Sequence, residues 1–475
     1  MFSWEPSHLQ DQLEPSAGLL WTIANAGLSG LKMSSTHFVR PAVTAIWKQL
    51  NELEISTSEA GACLNVSGPP GTGKSSTLFA WVVYMGMLCG DLSNNVMWVH
   101  ALEDQVNVLR IVNRKADTTT CTLSAVSKLS ECFDEYDVIC LDGFRKEMAA
   151  LMLGAMRKKR KVVTCTSYQS SAMSSEAADF VVHQSKDLTV YNWTLDEYRL
   201  CLENNLPGEA FKDEASLLLQ HYYAGGSMRL MQWEIDSLRK YLDKKIAEVN
   251  DKKVLLQGMQ GVSGSMAVNT LIAEYDGDAD TVLLSRYVAR KVAWSVDDIF
   301  IAEAGKRLPQ NPSWQGWVFE MKVINLVHRD NKLALRYIGA SSAKTAHLSS
   351  ELQLTGSTVC APESFLDLPA RVPEGNMWLL PEKWNQACFD LVFYTELKLW
   401  FVQVTVGKSH TYKLDALIPV MQKLHHNAAS STILVVTSSQ NFKVTPSNLV
   451  KPAVGELSTW SKDNVEIAEL SVRSA

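Results

Sequence analysis

Gly68-Pro69-Pro70-Gly71-Thr72-Gly73-Lys74-Ser75 satisfies the P-loop pattern G-x-x-x-x-G-K-[ST] at every constrained position. Upstream, Ala62-Cys63-Leu64-Asn65-Val66-Ser67 reads as a short buried strand. Downstream, the run from Ser76 to Met85 reads as a helix. Strand, glycine loop and helix in that order give the pattern its physics. The glycines let backbone N–H groups turn inward around phosphate oxygens, and the helix N-terminus adds partial positive charge. Lys74 can reach the β- and γ-phosphates, and Ser75 can offer its hydroxyl to Mg²⁺. The expected cofactor-binding set is therefore Gly68 to Ser75, with Ser76 in the first helical turn.

A magnesium site of this kind needs a second strand ending in a carboxylate. Asp137-Val138-Ile139-Cys140-Leu141-Asp142 is an apolar run that supplies one, so Asp142 is expected to orient the metal. Gly143 follows where many ATPases carry a water-activating Glu; Asp137 and Glu147 are the candidate substitutes. A third strand, Lys161 to Gln169, ends in polar groups, and Ser167 or Gln169 could sense the γ-phosphate. Between these lie β-rich runs at Val96–His100, Val106–Arg110 and Thr118–Leu123, which predict a meander within or edging the sheet. The pattern turns helical from Asp196 to Tyr223. It ends in Tyr222-Tyr223-Ala224-Gly225-Gly226-Ser227-Met228-Arg229, the layout of a helical lid whose Arg229 reports on the γ-phosphate. Ile235, Leu238, Leu242, Ile246 and Val249 continue at helical spacing, and Gly258 to Gly264 reads as a hinge.

The composition agrees with an ordinary globular chain. At 475 residues, with 46% hydrophobic and 20% charged side chains, two or three domains are expected. A net charge of −6 confines any nucleic-acid contact to local patches. Nine cysteines with no C-x-x-C pair read as reduced thiols in a reducing compartment. The apolar stretch Ala17–Leu31 is too short to span a bilayer and has no Lys or Arg before Lys32, so neither a membrane span nor a secretory signal is expected.

A second group of chemically suggestive residues lies in the C-terminal third. Trp314 to Ile324 reads as a helix carrying Glu320. Phe389 to Tyr394 reads as a strand carrying Asp390, and Leu399 to Val406 as its hairpin partner carrying Gln403 and Thr405. A helix over Lys413–Leu424 and a strand over Thr432–Thr437 complete an α-β-β-α-β order. That order resembles the restriction-endonuclease-like fold, in which an Asp and a Glu-x-Lys pair hold Mg²⁺ on a scissile phosphate. Here Gln403-Val404-Thr405 stands in place of Glu-x-Lys, and Lys408 or His410 could supply the missing cation.

Taken in order, the octapeptide, the Asp142 strand, Thr166-Ser167-Tyr168-Gln169, the Tyr222–Arg229 string, the Phe389-Asp390 strand and Gln403-Val404-Thr405-Val406 with His410 resemble the Crinkler and retrotransposon-hot-spot type proteins. Phe38-Val39-Arg40-Pro41 with Trp47 is similar to that family's lead-in, so the likeness spans residues 36 to 440. The resemblance implies an α/β chain in which a P-loop NTPase domain with a helical lid precedes a restriction-endonuclease-like α/β domain. The expected divisions are a lead-in at 1–58, the NTPase core and lid at 59–232, a helical connector at 233–310 and the nuclease-like domain at 311–475. It implies Lys74, Ser75, Asp142 and Arg229 for nucleotide work and Glu320, Asp390 and Gln403 as a Mg²⁺ site, with Lys408 assisting. It further implies an effector that filamentous eukaryotic pathogens deliver to the host nucleus to act on DNA. The chain departs from the family in lacking a Leu-Phe-Leu-Ala-Lys-like translocation motif, and a resident homologue associated with mobile elements is the other reading.

The leading expectation is thus an ATP-binding NTPase coupled to a nuclease-like, DNA-binding domain. The alternative is a nucleotide-gated switch whose nuclease fold is inactive and binds nucleic acid or a protein. A small-molecule kinase is a third. ATP is favoured over GTP because no guanine-reading Asn-Lys-x-Asp pattern occurs. A homo-oligomer is also possible, with Arg40 or Arg145 reaching a neighbour's phosphates.

Overall fold

A computed structural model of the chain describes residues 20–22, 36–51, 63–88, 94–102, 105–143, 148–158, 160–166, 185–204, 211–259, 265–275, 281–307, 311–338, 351–360, 375–381, 389–438, 442, 444–452 and 455–471. Ser167, Gln169, Arg145 and Glu147 lie outside these residues, as do most of the Ala17–Leu31 stretch and the 260–264 part of the expected hinge. The protein is mixed α/β, with parallel and antiparallel strands in its sheets. It divides into two compact units, Met1–Ser285 and Arg286–Ala475, so the segment expected as a connector at 233–310 is shared between them.

The first unit is built on seven strands: β1 (Cys63–Ser67), β2 (Val96–Ala101), β3 (Gln105–Val112), β4 (Lys115–Thr122), β5 (Val138–Asp142), β6 (Lys161–Cys165) and β7 (Ser185–Thr189). Their order across the sheet is β4-β3-β2-β5-β6-β1-β7. The five strands from β2 to β7 in that order run parallel, while β3 and β4 add an antiparallel edge. The three β-rich runs read from the sequence therefore form a meander on one side of the sheet. The β3–β4 turn is the two-residue Asn113-Arg114, both at positive φ (49° and 61°), the type I′ geometry whose twist suits a hairpin.

Successive side chains of the parallel strands face opposite ways, which explains their continuous apolar runs. Leu64, Val66, Trp98, Cys140 and Val163 pack against Trp47 of α1 (Pro41–Asn51) and Leu78, Phe79 and Trp81 of α2 (Lys74–Val83). Cys63, Met97, Val99, Ile139, Leu141 and Val162 face away, onto Phe133, Leu151 and Met152. Helices thus cover both faces, and only the strand ends are free to carry polar chemistry. Beyond β7 come α3 (Leu195–Glu203), α4 (Glu214–Ala224), α5 (Met228–Met231) and α6 (Ile235–Glu248). Thr194 with Glu197 and Asp213 with Ser216 form capping boxes that fix where α3 and α4 begin.

The second unit opens with α7 (Arg286–Ala293) and the long α8 (Pro312–Asp330). Asn311 caps α8 by accepting from the Trp314 N–H, Pro312 presets its first turn, and Asn331 in the left-handed conformation ends it. An eight-stranded sheet follows: β8 (Lys332–Tyr337), β9 (Glu351–Thr355), β10 (Thr358–Cys360), β11 (Met377–Leu379), β12 (Leu391–Tyr394), β13 (Leu399–Thr405), β14 (Ser431–Thr437) and β15 (Val465–Leu470), ordered β9-β8-β15-β14-β13-β12-β11-β10. β12 and β13 form the expected hairpin, and β14 lies parallel to β13. The helix expected over Lys413–Leu424 is a 3-10 turn (Leu414–Leu417) leading into α9 (Ile418–Lys423). Pro419 explains the split, since it has no N–H to donate to an earlier turn. Val420 and Met421 of α9 join Leu414, Leu417 and Trp460 in the core on one face of the sheet.

Candidate functional site

In the first unit the carboxyl ends of four neighbouring parallel strands line up in register. Val66 pairs with Cys165, Cys165 with Asp142, and Asp142 with His100. Ligands of open α/β sheets sit in the crevice beyond such ends. The octapeptide leaves β1 there and feeds into α2, whose first residue is Lys74.

Lys74 is buried, and its ammonium donates to the carbonyls of Gly68 (2.8 Å) and Pro69 (2.7 Å). Burial pushes it down to about 8; nearby Cys165 and Asp142 oppose the fall and Arg229 adds to it. The Ser75 hydroxyl donates to Asp142 Oδ1 at 2.9 Å. The other Asp142 oxygen meets His100 Nδ1 at 2.7 Å, and the His100 ring stacks on Trp98, with centroids 5.1 Å apart. Asp142 itself is only 1% exposed. Ser75 could offer its hydroxyl to Mg²⁺ here, with Asp142 beside it orienting the ion through water, so the pair fits that ion. Mg²⁺ takes few protein ligands and completes its shell with water and phosphate, so a dense acidic cage is not needed. Among the described residues, no group of three or more His, Cys, Asp or Glu side chains is arranged to hold a metal.

The segment expected as a lid touches the loop directly. Met228 N–H donates to Gly71 O at 3.0 Å, and Ser227 Oγ to Pro70 O at 3.4 Å. Gly71 has φ 83°, and a Cβ there would lie 2.1 Å from Ser227 Oγ, so only glycine fits. Arg229, an exposed side chain, starts beside this contact: its Cβ would be 3.2 Å from a Gly71 Cβ.

Three candidates from the sequence are placed elsewhere. Asp137 precedes β5 at the end opposite Asp142, roughly 16 Å away at 3.3 Å per residue, and accepts from the Asn95 N–H. It cannot replace a water-activating Glu. Arg40 is 2% exposed and fully engaged. It pairs with Glu197 through two bonds (2.9 and 3.0 Å), donates to the carbonyls of Thr72, Tyr191 and Asn192, and lies over Trp193. It is an internal clamp on the loop and cannot reach a neighbour. Lys408 lies exposed in the turn after β13. His100 was not singled out from the sequence, because its role depends on the β2–β5 register.

In the second unit, Glu320 of α8, Asp390 before β12 and Gln403 of β13 do come together, all three buried. Two arginines of α7 join them. Arg286 bridges the acids, with Nε on Glu320 Oε2 and an Nη on Asp390 Oδ1, both at 2.7 Å. Arg290 sits 3.3 Å from Glu320 Oε1 and donates to the carbonyls of Pro381 and Asp390. Asp390 Oδ2 accepts from Gln403 Nε2 (2.6 Å) and Val404 N–H (2.8 Å). Burial, with the Glu320 charge, pushes Asp390 up to about 6. Burial alone would raise Glu320 as well, but the two guanidiniums outweigh it and hold that carboxyl low. This arrangement does not fit a divalent ion. Gln403 turns its nitrogen, not its oxygen, toward Asp390, and the acids already face two positive charges. Arg286 and Arg290 were missed from the sequence, although an i, i+4 arginine pair in an otherwise buried helix was a legible signal.

No protein-family model matches the chain, and no curated protein matches it. Among solved structures, it is similar to a chain of Drosophila ORC bound to DNA, at 16% identity and TM-score 0.26, covering 60% of this chain and 72% of that one. It is also similar to a chain of the wild-type Clp1p–Pcf11p complex, at 10% identity and TM-score 0.20, covering 38% and 54%. At these TM-scores neither likeness bears on fold or function. Among the described residues, no helix is long and apolar enough to cross a membrane.

Proposed function

We propose that the first unit is a P-loop NTPase that binds ATP with Mg²⁺, linked in one chain to a restriction-endonuclease-like second unit that binds DNA. The observation that carries the nucleotide reading is the row formed by Lys74, Ser75 and Asp142 at the strand ends, with the Ser75 hydroxyl already on the carboxylate. Lys74 exchanges its two loop carbonyls for phosphate oxygens. Ser75 and Asp142 would hold the ion, and His100 would keep the carboxylate turned toward it. When bound, Mg²⁺ offsets the charge on the β- and γ-phosphates. Arg229, whose side chain starts beside Gly71, is the lid cation that would report on the γ-phosphate.

Turnover is slow in this reading. Gly143 follows Asp142 at φ 70°, and a Cβ there would lie 2.6 Å from the Ala101 carbonyl, so no Glu can stand at that position. The DNA-binding role, the nuclease-like fold and the delivery to a host nucleus rest on the Crinkler and retrotransposon-hot-spot resemblance. A reducing compartment is supported by the seven described cysteines, all free thiols.

The test is nucleotide binding by Lys74→Ala, followed with a fluorescent ATP analogue in the presence of Mg²⁺. Wild type is expected to bind and the variant to lose affinity by about 10–150-fold, as losing a charge-assisted contact of about 1.5–3 kcal/mol would require. Equal affinity in the two proteins rejects the site.

A further inference from the structure

We infer that the acidic cluster of the second unit is closed by protein cations, with Arg286 standing where a divalent metal would bridge Glu320 and Asp390, so that the cluster takes no divalent metal. The inference rests on the second unit alone and is independent of the nucleotide reading.

The charge balance is the first argument. Glu320 and Asp390 contribute two negative charges, and Arg286 and Arg290 two positive ones, all within 3.3 Å contacts. A divalent ion entering this cluster would make it net positive in a buried setting, where uncompensated charge is most costly. Geometry is the second. A nuclease metal needs carboxylate oxygens from two elements aimed at one point. Here one oxygen of each acid is aimed at a single guanidinium, at 2.7 Å from Nε and 2.7 Å from an Nη. The remaining Asp390 oxygen is saturated by Gln403 Nε2 and the Val404 N–H. Only planar, forked guanidinium donors match two carboxylates in this way, and they cannot be discharged at accessible pH.

The third argument concerns the residues that would have served a metal. Gln403 carries no charge and donates to Asp390. Lys408 is exposed, and burial, with the Arg286 charge adding to it, holds His410 below its ordinary value, so it too faces a cation already present. The acids are thus structural counter-ions of α7. They fasten that helix to α8 and to the β12–β13 hairpin.

Two measurements test this. Iron(II) replaces magnesium in such centres and, with ascorbate and peroxide, cuts the backbone beside the ion. Wild-type full-length protein treated in this way is expected to show no cuts near residues 320, 390 or 403 by mass spectrometry, under conditions that cut a magnesium nuclease run alongside. Cuts at those positions overturn the inference. Neutralising a carboxylate gives the second readout. In a metal centre without its ion, the acids repel each other, and Asp390→Asn or Glu320→Gln raises the melting temperature. Here each change leaves two guanidiniums facing a single carboxylate and is expected to lower it by on the order of 10 °C. A rise overturns the inference. If either variant fails to fold, the iron cleavage of wild type still decides.

Discussion

Asp142 has each carboxylate oxygen assigned: Oδ1 to the Ser75 hydroxyl, Oδ2 to His100. The second contact gives His100 a positioning role. It sits on β2, one strand over from Asp142, and its own ring is steadied by Trp98. Groups that orient a metal-binding carboxylate typically contribute 10–100-fold in metal affinity. His100→Ala is therefore expected to raise the Mg²⁺ concentration for half-maximal nucleotide binding by about 10–100-fold. His100→Asn, whose amide can occupy the Nδ1 position, should stay within a few-fold of wild type. A variant pair that behaves identically would leave His100 without this role. Asp142 was legible in the sequence because an apolar strand run ends on it. His100 was not, because the contact joins residues 42 apart through a parallel register that no local spacing encodes. The same reason hid Arg286, whose Asp390 partner is 104 residues away.

Elements place the lid on the loop through backbone contacts, and the helices behind it carry a titratable group of their own. His221 lies in the last turn of α4, edge-on to the Tyr198 ring of α3 at 5.9 Å. Burial pushes its imidazole down to about 4 from 6.5, and the Arg199 charge adds to the fall. Above pH 6.5 the ring is neutral in folded and unfolded chains alike, and its contribution is constant. Between 6.5 and 4 the unfolded chain takes up a proton that the folded one refuses, so stability falls as pH falls. The loss should be on the order of 2 kcal/mol after allowing for the ring's partial exposure. Urea midpoints measured from pH 7 to pH 4 should fall in wild type, and His221→Phe should flatten that slope. An unchanged slope in the variant would show that the acid sensitivity arises elsewhere. The helices themselves were legible from apolar spacing and capping residues. Their packing partners were not: Arg40 meets Glu197 across 157 residues, which turned an expected intermolecular arginine into an internal clamp.

At the scale of the whole molecule, the chain closes separate cores. Trp47, Trp81 and Trp98 belong to one in the first unit; Phe389, Phe401 and Trp460 belong to another in the second. The sequence located the two concentrations of chemistry around which these form. The expected second domain begins at 311, whereas the compact unit begins at Arg286. Helix α7 belongs with the acids it neutralises, and that pairing is visible only in three dimensions. The two compact units and the proposed nucleotide site make a specific calorimetric prediction. Two-state behaviour is not expected of a two-unit chain. A ligand that binds one folded unit at 100 times its Kd stabilises that unit by about 2.7 kcal/mol, raising its transition by roughly 5–10 °C. Mg-ATP should therefore move the transition of the first unit and leave the second in place, while Asp390→Asn should lower the second and leave the first. Lys74→Ala identifies the first transition by removing its response to nucleotide. If Mg-ATP moves both transitions by the same amount, the units unfold as one, and the nucleotide's free energy reaches the acidic cluster as well as the loop.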